Sequence, residues 1–131
     1  MKRMLASMIV LLSLLSLPVW ADDAFLKQVY ESRQSDIQVQ GQGEVIKILA
    51  DDTYGAKHQR FILRLENRQT ILVSHNIDLA PRISNLKVGD WVEFHGEYEW
   101  NSKGGVVHWT HKDPKNSHAQ GWLKHRSIKY N

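Results

Sequence analysis

Between about residue 37 and residue 110 the chain alternates apolar and polar side chains, a period that marks strands rather than helices. Ahead of that region, Phe25, Leu26, Val29 and Tyr30 recur at helical spacing behind Asp22 and Asp23, either of which can cap a short helix ending near Gln34. From Ile37 to Leu49 the residues turn β-branched and alternate in part. Gly41 and Gly43 interrupt them, as glycines do where a strand bulges or bends, so the first strand should be long and coiled. Asp51, Asp52 and Gly55 supply a turn, and Phe61, Leu63 and Leu65 then alternate with Arg60, Ile62 and Arg64 in a half-buried second strand. Asn67-Arg68 separates it from a third strand over Thr70 to Ser74, where Ile71 and Val73 share a face, so the two form a hairpin.

His75 to Ile83 is too short for a full helix and is broken by Pro81, which predicts one helical turn before a fourth strand from Trp91 to Tyr98. Asn101 to Gly105 reverses the chain into a fifth strand, Val106 to Thr110, and the remainder is expected to be mostly irregular. Three strands, a short connector and a two-strand hairpin, with no βαβ signal, predict an all-β protein: a small five-stranded OB-like Greek-key barrel with a short N-terminal helix. Phe61, Leu63, Leu65, Ile71, Val73, Val92 and Phe94 should point inside. An SH3-like barrel and a small open sandwich are the alternatives.

The first residues change this picture. Lys2 and Arg3 precede an uncharged run from Met4 to Leu17, then Pro18 and Val19-Trp20-Ala21, the layout of a signal peptide cleaved after Ala21. A run of this length is short for a membrane span. Residues 1–21 are therefore expected to be a leader and 22–131 a single domain that is periplasmic or secreted, without a membrane span and monomeric. The sequence has no Cys, so neither a disulfide nor a lipid-modified cysteine supports the exported product.

Charge alters the reading less than its distribution does. Removing Lys2 and Arg3 leaves fifteen basic against fourteen acidic side chains, a net charge of +1. Residues 100–131, however, carry six Lys/Arg against Asp113 alone, together with four of the seven His, so the C-terminal quarter is basic and His-rich.

Several phrases of the sequence resemble a known family. They are Asp51-Asp52 with Gly55, His58-Gln59-Arg60-Phe61, His75 through Arg82, Gly96-Glu97-Tyr98-Glu99-Trp100-Asn101, Gly104-Gly105-Val106, and His108-Trp109-Thr110-His111 with Asp113-Pro114. Over roughly Gly43 to His125 the chain resembles the bacterial domain-of-unknown-function family 3465. The resemblance implies an exported single-domain protein and brings no reaction or ligand with it, so function is read from the residues.

Seven histidines in a small domain raise metal binding or proton transfer. The densest group, His108, His111 and Asp113, with His118 nearby, offers imidazole and carboxylate ligands for a divalent metal such as zinc or manganese. On a regular strand His108 and His111 face opposite ways, so they converge only if the chain turns near Thr110. His75, Asn76, Asp78 and Arg82 leave the third strand together and resemble a phosphate or metal site; Asp78 as a cap and Arg82 as a solvated ion-pair partner is the structural alternative. His58, Arg60 and Arg64 share one strand face and could meet a polyanion. Trp91, Trp100, Trp109 and Trp122 could stack bases or sugars, or simply pack.

These residues support two main readings. One is metal-assisted phosphodiester hydrolysis, nuclease-like, with His75, Asp78, His108, His111 and Asp113 holding the metal in one cleft. His75, Asp78, Arg82, His58 and Arg60 would do the catalytic work there. The other is a non-catalytic module that binds nucleic acid, a glycan or another anionic polymer, or a periplasmic metal-binding protein using the same histidines.

Overall fold

The computed structural model describes residues 19–131. The leader expectation rests on residues that lie outside these, apart from Val19 to Ala21, which begin a helix, α1 (Val19–Glu31). The helix therefore starts earlier than a cap at Asp22 or Asp23 requires. Asp23 serves another purpose: its Oδ2 accepts the Asn67 N–H at 3.2 Å, and the Asn67 side chain donates back to the Asp23 carbonyl at 3.2 Å. This exchange ties α1 to the turn between the second and third strands. Leu26 and Val29, on the inner face of α1, are fully buried.

Seven strands follow: β1 (Ile37–Asp52), β2 (His58–Arg64), β3 (Thr70–Asn76), β4 (Trp91–Glu99), β5 (Val106–His108), β6 (Trp122–His125) and β7 (Ile128–Tyr130). β1 is long enough to serve two partners, pairing β4 through Ile37 to Glu44 and β2 through Glu44 to Asp52, with register shifts near Val45 and Leu49. Gly41 sits where no side chain fits, since a Cβ there would lie 2.7 Å from Phe94 Cζ and 2.8 Å from Leu26 Cδ1. The order β1-β2-β3-β5-β4 closes on itself through the β1–β4 pairing, giving a ring of five strands in which β3 and β5 run parallel. This is the small all-β, OB-like arrangement that the element order predicts.

The inward parity also holds: Phe61, Leu63, Leu65, Ile71, Val73, Val92 and Phe94 are each at most 2% exposed. Removing such a side chain from water contributes about 1.5–3 kcal/mol. Among the described residues no helix is long and apolar enough to cross a membrane.

Two expectations are corrected. The strand expected over Val106 to Thr110 ends at His108, because Trp109 adopts a left-handed conformation with φ of 54°. The segment after Asp113-Pro114 is not all irregular, since β6 and β7 form a hairpin that extends the sheet from β4. Its turn, Arg126-Ser127, has φ of 49° and 67° with neither Gly nor Asn to announce it, and of the four residues of β6 only Leu123 joins the core. The connector after β3 is a single turn, closed by the Ala80 N–H on the Asn76 carbonyl at 3.2 Å.

Candidate metal centre

On β4 the inward side chains Phe94 and Tyr98 alternate with outward Glu93, His95, Glu97 and Glu99, and the outer set is only half-buried. Antiparallel pairing places His108 of β5 directly opposite Glu97, the distance at which cross-strand side chains interact. Its Nε2 lies 3.3 Å from Glu97 Oε2 and 3.5 Å from Glu99 Oε1. Ligand atoms of Glu97, Glu99 and His108 all fall within 4.8 Å of one another, the one such group among the described residues. His108 Nε2 is shielded from solvent and makes no hydrogen bond of good geometry. Burial first, and then the neighbouring Asp36 carboxyl, raise the Glu99 pKa against the opposing pull of His108.

A second imidazole reaches the cluster from the loop after β5. His118 Nε2 lies 3.0 Å from Glu97 Oε1, and its Nδ1 lies 2.9 Å from the Ala119 carbonyl. Both partners can only accept, so each ring nitrogen donates. Burial alone would lower the His118 pKa, but the Ala119 carbonyl and the Glu97 carboxylate outweigh it and hold the value above its ordinary position. The ring stacks on Trp109 at 3.9 Å between centroids and 11° between planes.

Asp113 builds the loop that presents His118. Its carboxylate accepts from Lys115 N–H at 3.0 Å, Ser117 N–H and Oγ at 2.9 Å each, and His118 N–H at 2.8 Å. The Lys115 contact leads the hydrogen bonds that lower its pKa to about 2. With its oxygens so engaged Asp113 organises the loop, contrary to its expected role as a metal ligand.

The expected shared cleft is corrected in the same way. The loop after β3 and the end of β5 do come together, as the parallel β3–β5 pairing requires, and His75 lies near enough to His111 and His58 to feel their charge, but their ligand atoms form no group within 4.8 Å among the described residues. His75 is fully buried, with Nδ1 2.7 Å from Thr110 Oγ1 and Nε2 2.9 Å from the Pro81 carbonyl. Burial lowers its pKa to about 4, so it is a neutral, doubly bonded interior group. Asp78 is exposed and accepts the Lys57 N–H at 3.0 Å. Arg82 pairs with Asp51, and Arg60 Nε donates to the Ala50 carbonyl at 3.1 Å. His58 is half-buried on β2, its Nδ1 without a partner. His111 is buried, its Nδ1 2.8 Å from the Lys112 carbonyl, with its ring tilted over Trp109 at 5.1 Å.

Of the expected site residues, only His108 joins the cluster. Glu97 and Glu99 went unread because an alternating Glu-Tyr-Glu looks like any solvated strand face. Their importance depends on which β5 residue is opposite, and register is not written locally in the sequence.

A family model described as a protein of unknown function (DUF3465) matches residues 8–131. The chain belongs to this family. No curated protein matches the chain.

Proposed function

We propose that this family member is an exported OB-like module that binds a divalent metal, zinc or manganese, on the outer face of β4 and β5 through Glu97, Glu99 and His108. The observation that supports this reading is the convergence of three ligand atoms within 4.8 Å around a His108 Nε2 that has no hydrogen-bond partner. Two carboxylates and the nearby Asp36 gather more negative charge than one imidazolium offsets, and a divalent cation would neutralise it. Mixed nitrogen and oxygen donors without thiolate suit zinc or manganese.

Metal-assisted phosphodiester hydrolysis is the reading that three ligands would allow, since an open position can hold a water made acidic by the metal. Arg60 and Arg82, expected to stabilise phosphoryl charge, are engaged with Ala50 and Asp51 away from the cluster. Polymer binding on aromatics has less support. Trp100 is stacked with Tyr30 and carries Arg33 over its ring, and Trp122 packs against His95 beneath Lys124 and Lys129.

Titration calorimetry with zinc and manganese chlorides tests the metal reading, using the purified protein and the double variant Glu97→Gln, Glu99→Gln. One equivalent should bind to the parent protein and binding should be lost in the variant. Absence of binding to the parent, or equal binding to both, overturns it. A phosphodiester assay of the loaded protein, with and without chelator, then decides between an enzyme and a binding protein.

A further inference from the structure

We infer that His118 is a positioning residue for this centre: from outside the ligand group it holds one oxygen of Glu97, so that Glu97 presents its other oxygen to the metal. The inference rests on the metal reading above and specifies how the three-ligand geometry is kept.

The two imidazoles divide the Glu97 carboxylate between them. His108 Nε2 lies 3.3 Å from Oε2, whereas His118 Nε2 lies 3.0 Å from Oε1. The ligand atoms that converge are those of Glu97, Glu99 and His108, and His118 stands beside that group on the far oxygen. The last torsion of a glutamate is broad, so a free carboxylate can turn and offer a cation either oxygen or both. A donor fixed on Oε1 removes this freedom, because turning that oxygen toward the metal would break a charge-assisted hydrogen bond. Carboxylates that ligate metals are commonly held in this way by a hydrogen-bond partner that does not itself touch the ion.

A positioning group must be more rigid than the group it holds, and His118 is fixed from several sides. Its Nδ1 donates to the Ala119 carbonyl at 2.9 Å, and its ring lies on Trp109 at 3.9 Å between centroids. Its backbone N–H donates to Asp113 at 2.8 Å, and the neck of the loop is closed by the Gly121 N–H on the His111 carbonyl at 2.9 Å. The side chains of His118 and Glu97 are each less than one-quarter exposed, so water competes little for the contact. An ordered loop delivers one N–H to one carboxylate oxygen, and this sets where the other oxygen points.

Because both ring nitrogens donate, His118 carries a positive charge, which by itself opposes a cation nearby. Its hydrogen bond and its charge therefore act in opposite directions on metal binding. His118→Gln and His118→Ala both remove the charge, but glutamine keeps an N–H donor that can reach Glu97 and alanine does not. The comparison between these two variants isolates the hydrogen bond.

Titration calorimetry with zinc chloride makes that comparison, with the parent protein alongside. His118→Gln should bind zinc at least as tightly as the parent, and His118→Ala at least about tenfold more weakly than His118→Gln. Urea unfolding of the metal-free proteins checks that the fold survives. Should the alanine variant unfold, His118→Leu takes its place, since leucine fills the space on Trp109 without a donor. Equal zinc affinity in the glutamine variant and the variant without a donor, at the parent's level or below it, overturns the positioning role and leaves the metal reading standing. If the parent itself binds no zinc, the metal reading fails and the positioning role fails with it.

Discussion

His75 and His108 lie on neighbouring strands of the same ring, yet their surroundings have little in common. His75 is fully buried at the end of β3, where Thr110 and the Pro81 carbonyl satisfy both ring nitrogens and burial holds the imidazole neutral. His108, on β5, faces outward among carboxylates, and its Nε2 has charged neighbours but no hydrogen bond. A histidine's contribution follows from whether its nitrogens are already satisfied. A satisfied imidazole stabilises the fold, whereas an unsatisfied one beside excess negative charge is free to bind a cation.

The largest expected effect is on His75. The unfolded chain takes up a proton on this residue near pH 6.5, but the folded protein resists until about pH 4. Its folded pKa is thus depressed, so the stability it contributes is complete above about pH 6.5 and is lost as pH falls toward 4. A displacement of this size corresponds to about 3 kcal/mol. Urea unfolding across that window should show the decline in the parent protein and a flatter profile in His75→Gln. Parallel profiles would mean that His75 does not resist protonation.

Thr110→Val comes next. Valine keeps the shape of threonine but removes the hydroxyl that meets His75 Nδ1, leaving a buried ring nitrogen without a partner. The expected loss is about 1–3 kcal/mol by urea unfolding, with zinc affinity unchanged. A variant as stable as the parent would show that the interior histidine tolerates the unsatisfied state seen at His108.

How far the sequence foretold these environments depends on the range of the signal. Alternation identified the inward faces of β2, β3 and β4, because pleating sends successive side chains to opposite sides whatever the partner strand. The same alternation could not separate Glu97 and Glu99 from a solvated face, since what distinguishes them is His108 across the ladder and His118 from a loop twenty residues further along. His75 and Asp78 resemble a site because polar residues gather after β3, yet burial takes His75 into the interior and Asp78 accepts the backbone N–H of Lys57. Asp113 stands among imidazoles in the sequence as a metal ligand would, but its carboxylate is taken up by backbone N–H groups of its own loop. The β6–β7 hairpin was missed because Arg126 and Ser127 adopt left-handed conformations that usually announce themselves through Gly or Asn.

Glu99→Gln should change stability least and separate the two histidines most clearly. Glu99 lies 3.5 Å from a His108 that is one-third exposed, a geometry from which an ion pair contributes little. Glu99 also sits beside Asp36, so replacing its carboxylate with an amide relieves repulsion while it weakens the contact with His108. The two effects oppose each other, and Glu99→Gln without metal should unfold within about 0.5 kcal/mol of the parent. An amide is a poorer ligand than a carboxylate, and the variant also has one negative charge fewer to set against a divalent cation. Zinc affinity should therefore fall at least about tenfold, equivalent to about 1.4 kcal/mol of binding free energy. The signature is a crossed pattern: Thr110→Val loses stability and keeps zinc, whereas Glu99→Gln keeps stability and loses zinc. Equal loss of zinc in both variants would show that the interior end and the outer face are one mechanical unit, and the division drawn between His75 and His108 would not hold.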